Sequence, residues 1–134
     1  MSQTTVVSMK LKDEALHQLQ ARMQPGQVVL LALNDGSNAY SKMGGTCTIG
    51  ANFQFVILPE RDPAYQIKIE NNAGLDLWTS DAEMVFLGSQ LVVNARNATL
   101  SLSDDSGVID GAVTIATGHP AAVSATDLRT GKTC

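Results

Sequence analysis

Cysteine is scarce in this chain: two in 134 residues, at positions 47 and 134. Two cysteines 87 positions apart form no disulfide framework, and without a Cys-x-x-Cys or Cys-x-Cys pair no single stretch offers a complete thiolate metal site. Basic residues are few and dispersed, nine Lys and Arg against thirteen Asp and Glu for a net charge of -4, so nothing can neutralise a row of phosphates. Aromatics are fewer still, with three Phe, two Tyr and one Trp, which removes a stacking platform for single-stranded bases. Nucleic acid is therefore not an expected partner. No apolar run approaches the roughly 20 residues of a membrane span, and MSQTTVVSMKLKDE lacks a basic stretch followed by an apolar one. The expectation is a soluble cytoplasmic protein with no membrane partner.

What the chain does have is apolar content. Hydrophobic residues make up 44% and charged residues 16%, enough buried surface to offset the chain entropy of one domain. Residues 1–8 are polar and β-branched without a clear period and read as a flexible N-terminus, leaving 9–117 as the domain. From Leu11 the spacing turns helical: Ala15, Leu16, Leu19 and Met23 share a face opposite Glu14, Gln18 and Arg22. Lys12 or Asp13 starts this amphipathic helix and Pro25-Gly26 stops it, giving about three and a half turns.

Beyond Gly26 the pattern becomes that of strands. Val28 to Leu33 is a continuous apolar run suited to burial on both faces, broken by the turn chemistry of Asn34-Asp35-Gly36. Further strands are read at 53–58, 66–71, 75–78, 90–94, 99–102 and 112–116, with a cap-like Ser80-Asp81-Ala82-Glu83 opening one helical turn between 80 and 87. Strand follows strand rather than alternating with helices, which favours a mainly β (α+β) fold: a small β sandwich or partly closed barrel with one N-terminal helix. Residues 118–134, rich in Gly, Pro and Thr, read as a weakly ordered tail.

The stretch that raises a chemical question is Ser41 to Phe55, SKMGGTCTIGANFQF, where Gly44, Gly45 and Gly50 surround Cys47. These glycines allow backbone conformations and close approaches that a Cβ forbids, but their spacing matches no phosphate-binding loop. A buried, inert thiol is the ordinary role of such a cysteine. A nucleophilic role needs a base, and the candidates are His17, on the exposed side of the helix, and His119, beside Pro120 in the tail. Neither serves Cys47, so the chain is not read as an enzyme. Asp104, Asp105 and Asp110 are oxygen donors on a turn-rich segment whose ordinary reading is a solvated loop.

The order of these parts resembles a known family. An opening MKLKDEALHQLQ helix, a strand, the GGTC loop, a strand, LDLWTSDAEMVFLGSQLVVN and ATLSLSDDSG look like the HesB-like, or A-type, iron-sulphur cluster biosynthesis proteins over roughly residues 9–116. The resemblance implies a compact, mostly β domain with one N-terminal helix. It also implies a carrier or scaffold holding iron or an iron-sulphur cluster through three cysteines, one in the Gly-rich loop and two in a C-terminal Cys-Gly-Cys. Cys47 matches the first. Where the pair belongs, the chain reads SDDSGVIDGAV over 103–113 and has no cysteine, and Cys134 is offered as a substitute ligand. The chain thus resembles a divergent member that completes its ligand set, if at all, across a homodimer, with iron-sulphur assembly proteins or recipient apo-proteins as partners. The alternative implied by the missing pair is an interaction module of the same fold that binds no metal, with Cys47 a structural loop residue.

Overall fold

The computed structural model describes residues 7–34, 40 and 52–118. In chain order these form β1 (Val7–Leu11), α1 (Asp13–Gln20), β2 (Val28–Leu33), β3 (Phe53–Leu58), β4 (Ile67–Asn71), β5 (Leu77–Thr79), α2 (Asp81–Met84), β6 (Leu91–Arg96), β7 (Thr99–Asp104) and β8 (Gly107–Thr117). The eight strands close into a barrel in the order β1-β4-β5-β2-β3-β8-β7-β6, with β6 returning onto β1 through the parallel pairs Met9↔Leu91 and Leu11↔Val93. The expectation of a mainly β fold with a partly closed barrel holds, and closure is complete. No described helix is long and apolar enough to cross a membrane.

β2 and β3 form the centre because their side chains are buried on both faces. Val29, Leu31, Leu33, Phe53, Phe55 and Ile57 point into the main core. Val28, Leu30, Ala32, Val56 and Leu58 point outward into a second cluster with Tyr40 and Tyr65, against which Trp78 packs. β6 shows the ordinary alternation instead, with Leu91, Val93 and Ala95 inward and Asn94 and Arg96 exposed.

α1 buries Ala15 and Leu19 in the main core and leaves Asp13 and Glu14 exposed in the first turn, where the helix dipole favours acidic groups. It spans eight residues, shorter than the spacing predicts; Arg22 and Met23 continue in tighter turns, donating to the carbonyls of Leu19 and Gln20. The strand β1 begins at Val7, inside the segment read as an irregular N-terminus, and its inward residues Val7, Met9 and Leu11 all join the core. Asn72 fastens its end by copying a strand neighbour: Leu11 N donates to Asn72 Oδ1 at 2.8 Å, and Asn72 Nδ2 donates back to the Leu11 carbonyl at 3.1 Å.

Candidate functional site

In the chain, residues 35–51, which contain Cys47 and its glycines, connect the end of β2 to the start of β3, and of them only Tyr40 is described. Gly44, Gly45, Cys47, Gly50 and Cys134 all lie outside the described residues, as does His119. What is described is the pair of strand ends between which Cys47 is strung.

The two strands run in register Leu33↔Phe53, and one step further Asn34 N donates to the Asn52 carbonyl at 2.7 Å. Pairs in an antiparallel ladder alternate between bonded and non-bonded, so the N–H groups of Leu33 and Phe53 point away from each other, toward the flanking elements. On one side β5 pairs with β2 at Val29↔Leu77 and Leu30↔Trp78, short of Leu33. On the other, β8 pairs with β3 from Gln54↔Thr114 onward, short of Phe53. Each outlying N–H is taken by a buried carboxylate.

Leu33 N donates to Glu83 Oε2 at 2.9 Å, and Glu83 comes from α2, the short helix that follows β5. Its other oxygen, Oε1, accepts a hydrogen bond from the hydroxyl of Ser80. The Ser80-x-x-Glu83 spacing therefore does not work as a capping box, in which the serine oxygen would accept a helix N–H. Ser80 instead donates to the carboxylate and holds it against β2.

Phe53 N donates to Asp110 Oδ2 at 2.7 Å, and Ala112 N donates to Asp110 Oδ1 at 2.9 Å. The pairing of β7 with β8 shifts register between Leu102↔Asp110 and Leu100↔Val113, so β8 carries one extra residue there. Such a bulge re-aims a side chain, here turning Asp110 onto the start of β3. Asp110 is 8% exposed and Glu83 1% exposed. The solvated-loop reading fits Asp105, which is exposed, but fails for Asp110, which the bulge carries inside. Asp104 is half-buried and organises the turn, accepting from Gly88 N at 3.0 Å and Ser106 N at 2.8 Å.

Behind these ends lies a buried polar group on the outer face of β2 and β3. Gln54 is fully buried, and its Nε2 donates to the carbonyls of Tyr40 at 2.8 Å and Leu33 at 3.4 Å. Those two acceptors set the amide orientation and leave Oε1 without a partner among the described residues. The Tyr40 hydroxyl donates to Asp62 Oδ2 at 2.5 Å, and the Tyr40 and Tyr65 rings meet edge to face at 6.0 Å. Burial, then the nearby Glu83, Tyr40 and Asp62, push the Tyr65 phenol above its ordinary range.

Among the described residues, no three His, Cys, Asp or Glu side chains gather in a way that could hold a metal ion. Glu83 and Asp110 do not fit as ligands of an iron-sulphur cluster. Every one of their oxygens already accepts an N–H or O–H, and clusters take thiolates in preference to such hard donors. Of the residues singled out in the sequence, Asp110 stands at this site, His17 is exposed on α1, and Glu83 was read only as a cap.

The model of the iron-sulphur cluster biosynthesis family matches residues 7–117. A crystal structure of a protein from Lactobacillus acidophilus, assigned to Fe-S biosynthesis, is 30% identical and superposes with a TM-score of 0.71, covering 92% of this chain and 96% of that one. A second, from Lactobacillus salivarius and described as having a novel fold, is 22% identical with a TM-score of 0.68, covering 84% of this chain and 99% of that one. That second likeness shows a shared fold. No curated protein matches the chain significantly.

Proposed function

This chain belongs to the iron-sulphur cluster biosynthesis family, and from that premise we propose that it carries iron or an iron-sulphur cluster as cargo through Cys47, as a carrier rather than an enzyme. The observation that supports this reading is the pinning of both strand ends that flank the Cys47 segment. Glu83 holds the N–H where the chain leaves β2, and Asp110 holds the one where it returns in β3. A carrier needs its thiolate returned to the same place after each transfer, and ends anchored in a closed barrel supply that.

One thiolate cannot complete the coordination of a cluster. The remaining ligands come from a second copy's Cys47 across a subunit interface, from Cys134, or from small thiols. The partners are iron-sulphur assembly proteins or recipient apo-proteins, and the setting is the cytoplasm, where thiols stay reduced. Within this reading the chain's own residues do no bond-breaking. Cys47 loses its thiol proton on binding the cargo, while Glu83, Ser80 and Asp110 keep the strand ends in register.

The test is anaerobic reconstitution with iron and sulfide, followed by visible absorbance. Wild type gains a charge-transfer band, Cys47→Ser does not, and Cys134→Ser reports whether the tail contributes. An uncoloured wild type, or a band undiminished in Cys47→Ser, overturns the reading.

A second reading is favoured by Asp110. The 103–113 stretch, where the resemblance expects Cys-Gly-Cys, spends its one buried acid on the backbone of Phe53 and Ala112. On that ground the chain is an interaction module with Cys47 in a structural role. It then retains partner binding in Cys47→Ala and alkylates slowly, because reactivity follows thiolate fraction and access.

A further inference from the structure

Among the described residues three large apolar side chains are exposed: Val85 at 78%, Phe86 at 44% and Val108 at 70%. Scattered singly they would need no explanation, but they share one end of the barrel. Phe86 and Val108 line a cleft of ≈ 280 Å³ together with Asp104, Ser106, Gly107 and Ile109. Val85 stands beside Phe86 in the chain.

The cleft has a built floor. The Phe86 ring is braced edge-on against buried Phe53 at 6.4 Å. The β7–β8 turn is tied to the chain after α2 twice, by Gly88 N to Asp104 and by Asp105 N to the Ser89 carbonyl at 2.9 Å. A Cβ at Gly88 would meet Asp104 Oδ2 at 2.5 Å, so a larger residue there displaces the Asp104 carboxylate.

Its rim is acidic. Asp104 lines the cleft, and Asp105, exposed on the same turn, lies beside Gly88. Lys10, exposed on β1, is set apart from Ser103 by the width of β6, and Arg96, at the end of β6 joined to the start of β7, lies at the opposite end of that strand from Asp104. Six residues of strand separate them by about 17 Å. A second copy would bring like charge onto like charge in a two-fold contact, and an anionic lipid surface would be repelled in the same way.

We infer that the α2/β7–β8 cleft docks a protein segment that presents a bulky apolar side chain flanked by Lys or Arg. The apolar residue enters between Phe86 and Val108, and the basic flanks meet Asp104 and Asp105. This goes beyond the cargo reading and does not depend on Cys47.

The test uses iron-free protein and fluorescence anisotropy of a labelled synthetic peptide with a central Leu-Phe between Lys-Arg pairs. A matched peptide with Glu in place of every Lys and Arg is the control. Saturable binding of the basic peptide is expected, weakened about tenfold or more by Phe86→Ser and by Val108→Ser. Asp105→Asn weakens it less, as does raising salt from ~50 to ~300 mM. Val108 braces nothing in the core, so its variant keeps the wild-type unfolding midpoint and separates docking from folding. Equal binding of the acidic peptide, no binding of the basic one, or affinity unchanged in Val108→Ser overturns the inference. So does a wild-type dimer in sedimentation that the same variants dissociate, which would make a second copy the occupant. Failure here leaves the cargo proposal standing, and a colourless reconstitution leaves this one standing.

Discussion

Asp110 and Glu83 occupy equivalent places on the two sides of one hairpin, yet their chemistry separates them under substitution. Both Asp110 oxygens accept backbone N–H groups, so Asp110→Asn sets an amide N–H against one of them and costs about 1–3 kcal/mol. Glu83 accepts one backbone N–H and one hydroxyl, and the serine hydroxyl can rotate to accept from an amide. Glu83→Gln is therefore the milder change, below about 1 kcal/mol. Denaturant titration of the two variants checks the order, and equal losses would contradict it. Tyr65 makes a pH prediction at the same scale. Burial raises its folded pKa above the ordinary phenol value of about 10, so its contribution is fully present below that pH and is lost as pH rises toward the folded value. In that alkaline window stability falls by up to about 1.4 kcal/mol per pH unit from this group, and Tyr65→Phe removes that slope in urea titrations.

Elements differ in how openly the sequence declared them. β2 was legible to the residue because Val28 to Leu33 is a continuous apolar run of strand length between turn signals, and β3 was placed to the residue by its Phe, Val and Ile although Gln54 interrupts the run. β1 was not, although Val7, Met9 and Leu11 alternate with Ser8 and Lys10, because its five residues straddle an irregular start and the approach to α1. The length of β8 was hidden by its bulge, which breaks the period of two where Asp110 turns inward. Cys47 and its glycines could be singled out from composition alone. The clamps could not, since Ser80-x-x-Glu83 has the spacing of a cap and Asp110 that of a loop until the partner strands are known. The β6–β7 hairpin supplies an element-scale prediction. Arg96↔Thr99 closes a two-residue turn in which Asn97 has φ 53° and Ala98 φ 69°. Asparagine tolerates that region and alanine does not, so Ala98→Gly should stabilise by about 0.5–1 kcal/mol, seen as a higher urea midpoint at constant slope. A lower midpoint would mean the alanine methyl makes contacts that outweigh its strain.

For the whole molecule the decisive feature is closure, with the first strand returning parallel onto the sixth. No local pattern announces such a pairing, which joins residues about eighty positions apart in the chain. On the opposite edge of β1 Asn72 extends the pairing with β4 by holding the Leu11 backbone, and Asn72→Ala, which strands a buried N–H and C=O, is expected to cost about 1–3 kcal/mol in thermal or urea unfolding. A closed barrel gives the Cys47 segment two fixed ends, and the family supplies the reason to look for cargo there. The most direct measurement is native mass spectrometry of the anaerobically reconstituted chain beside its folded Cys47→Ser variant. Iron and sulfide mass retained by the wild type and absent from the variant is the predicted result. Equal retention by both, or none by either, would contradict the account.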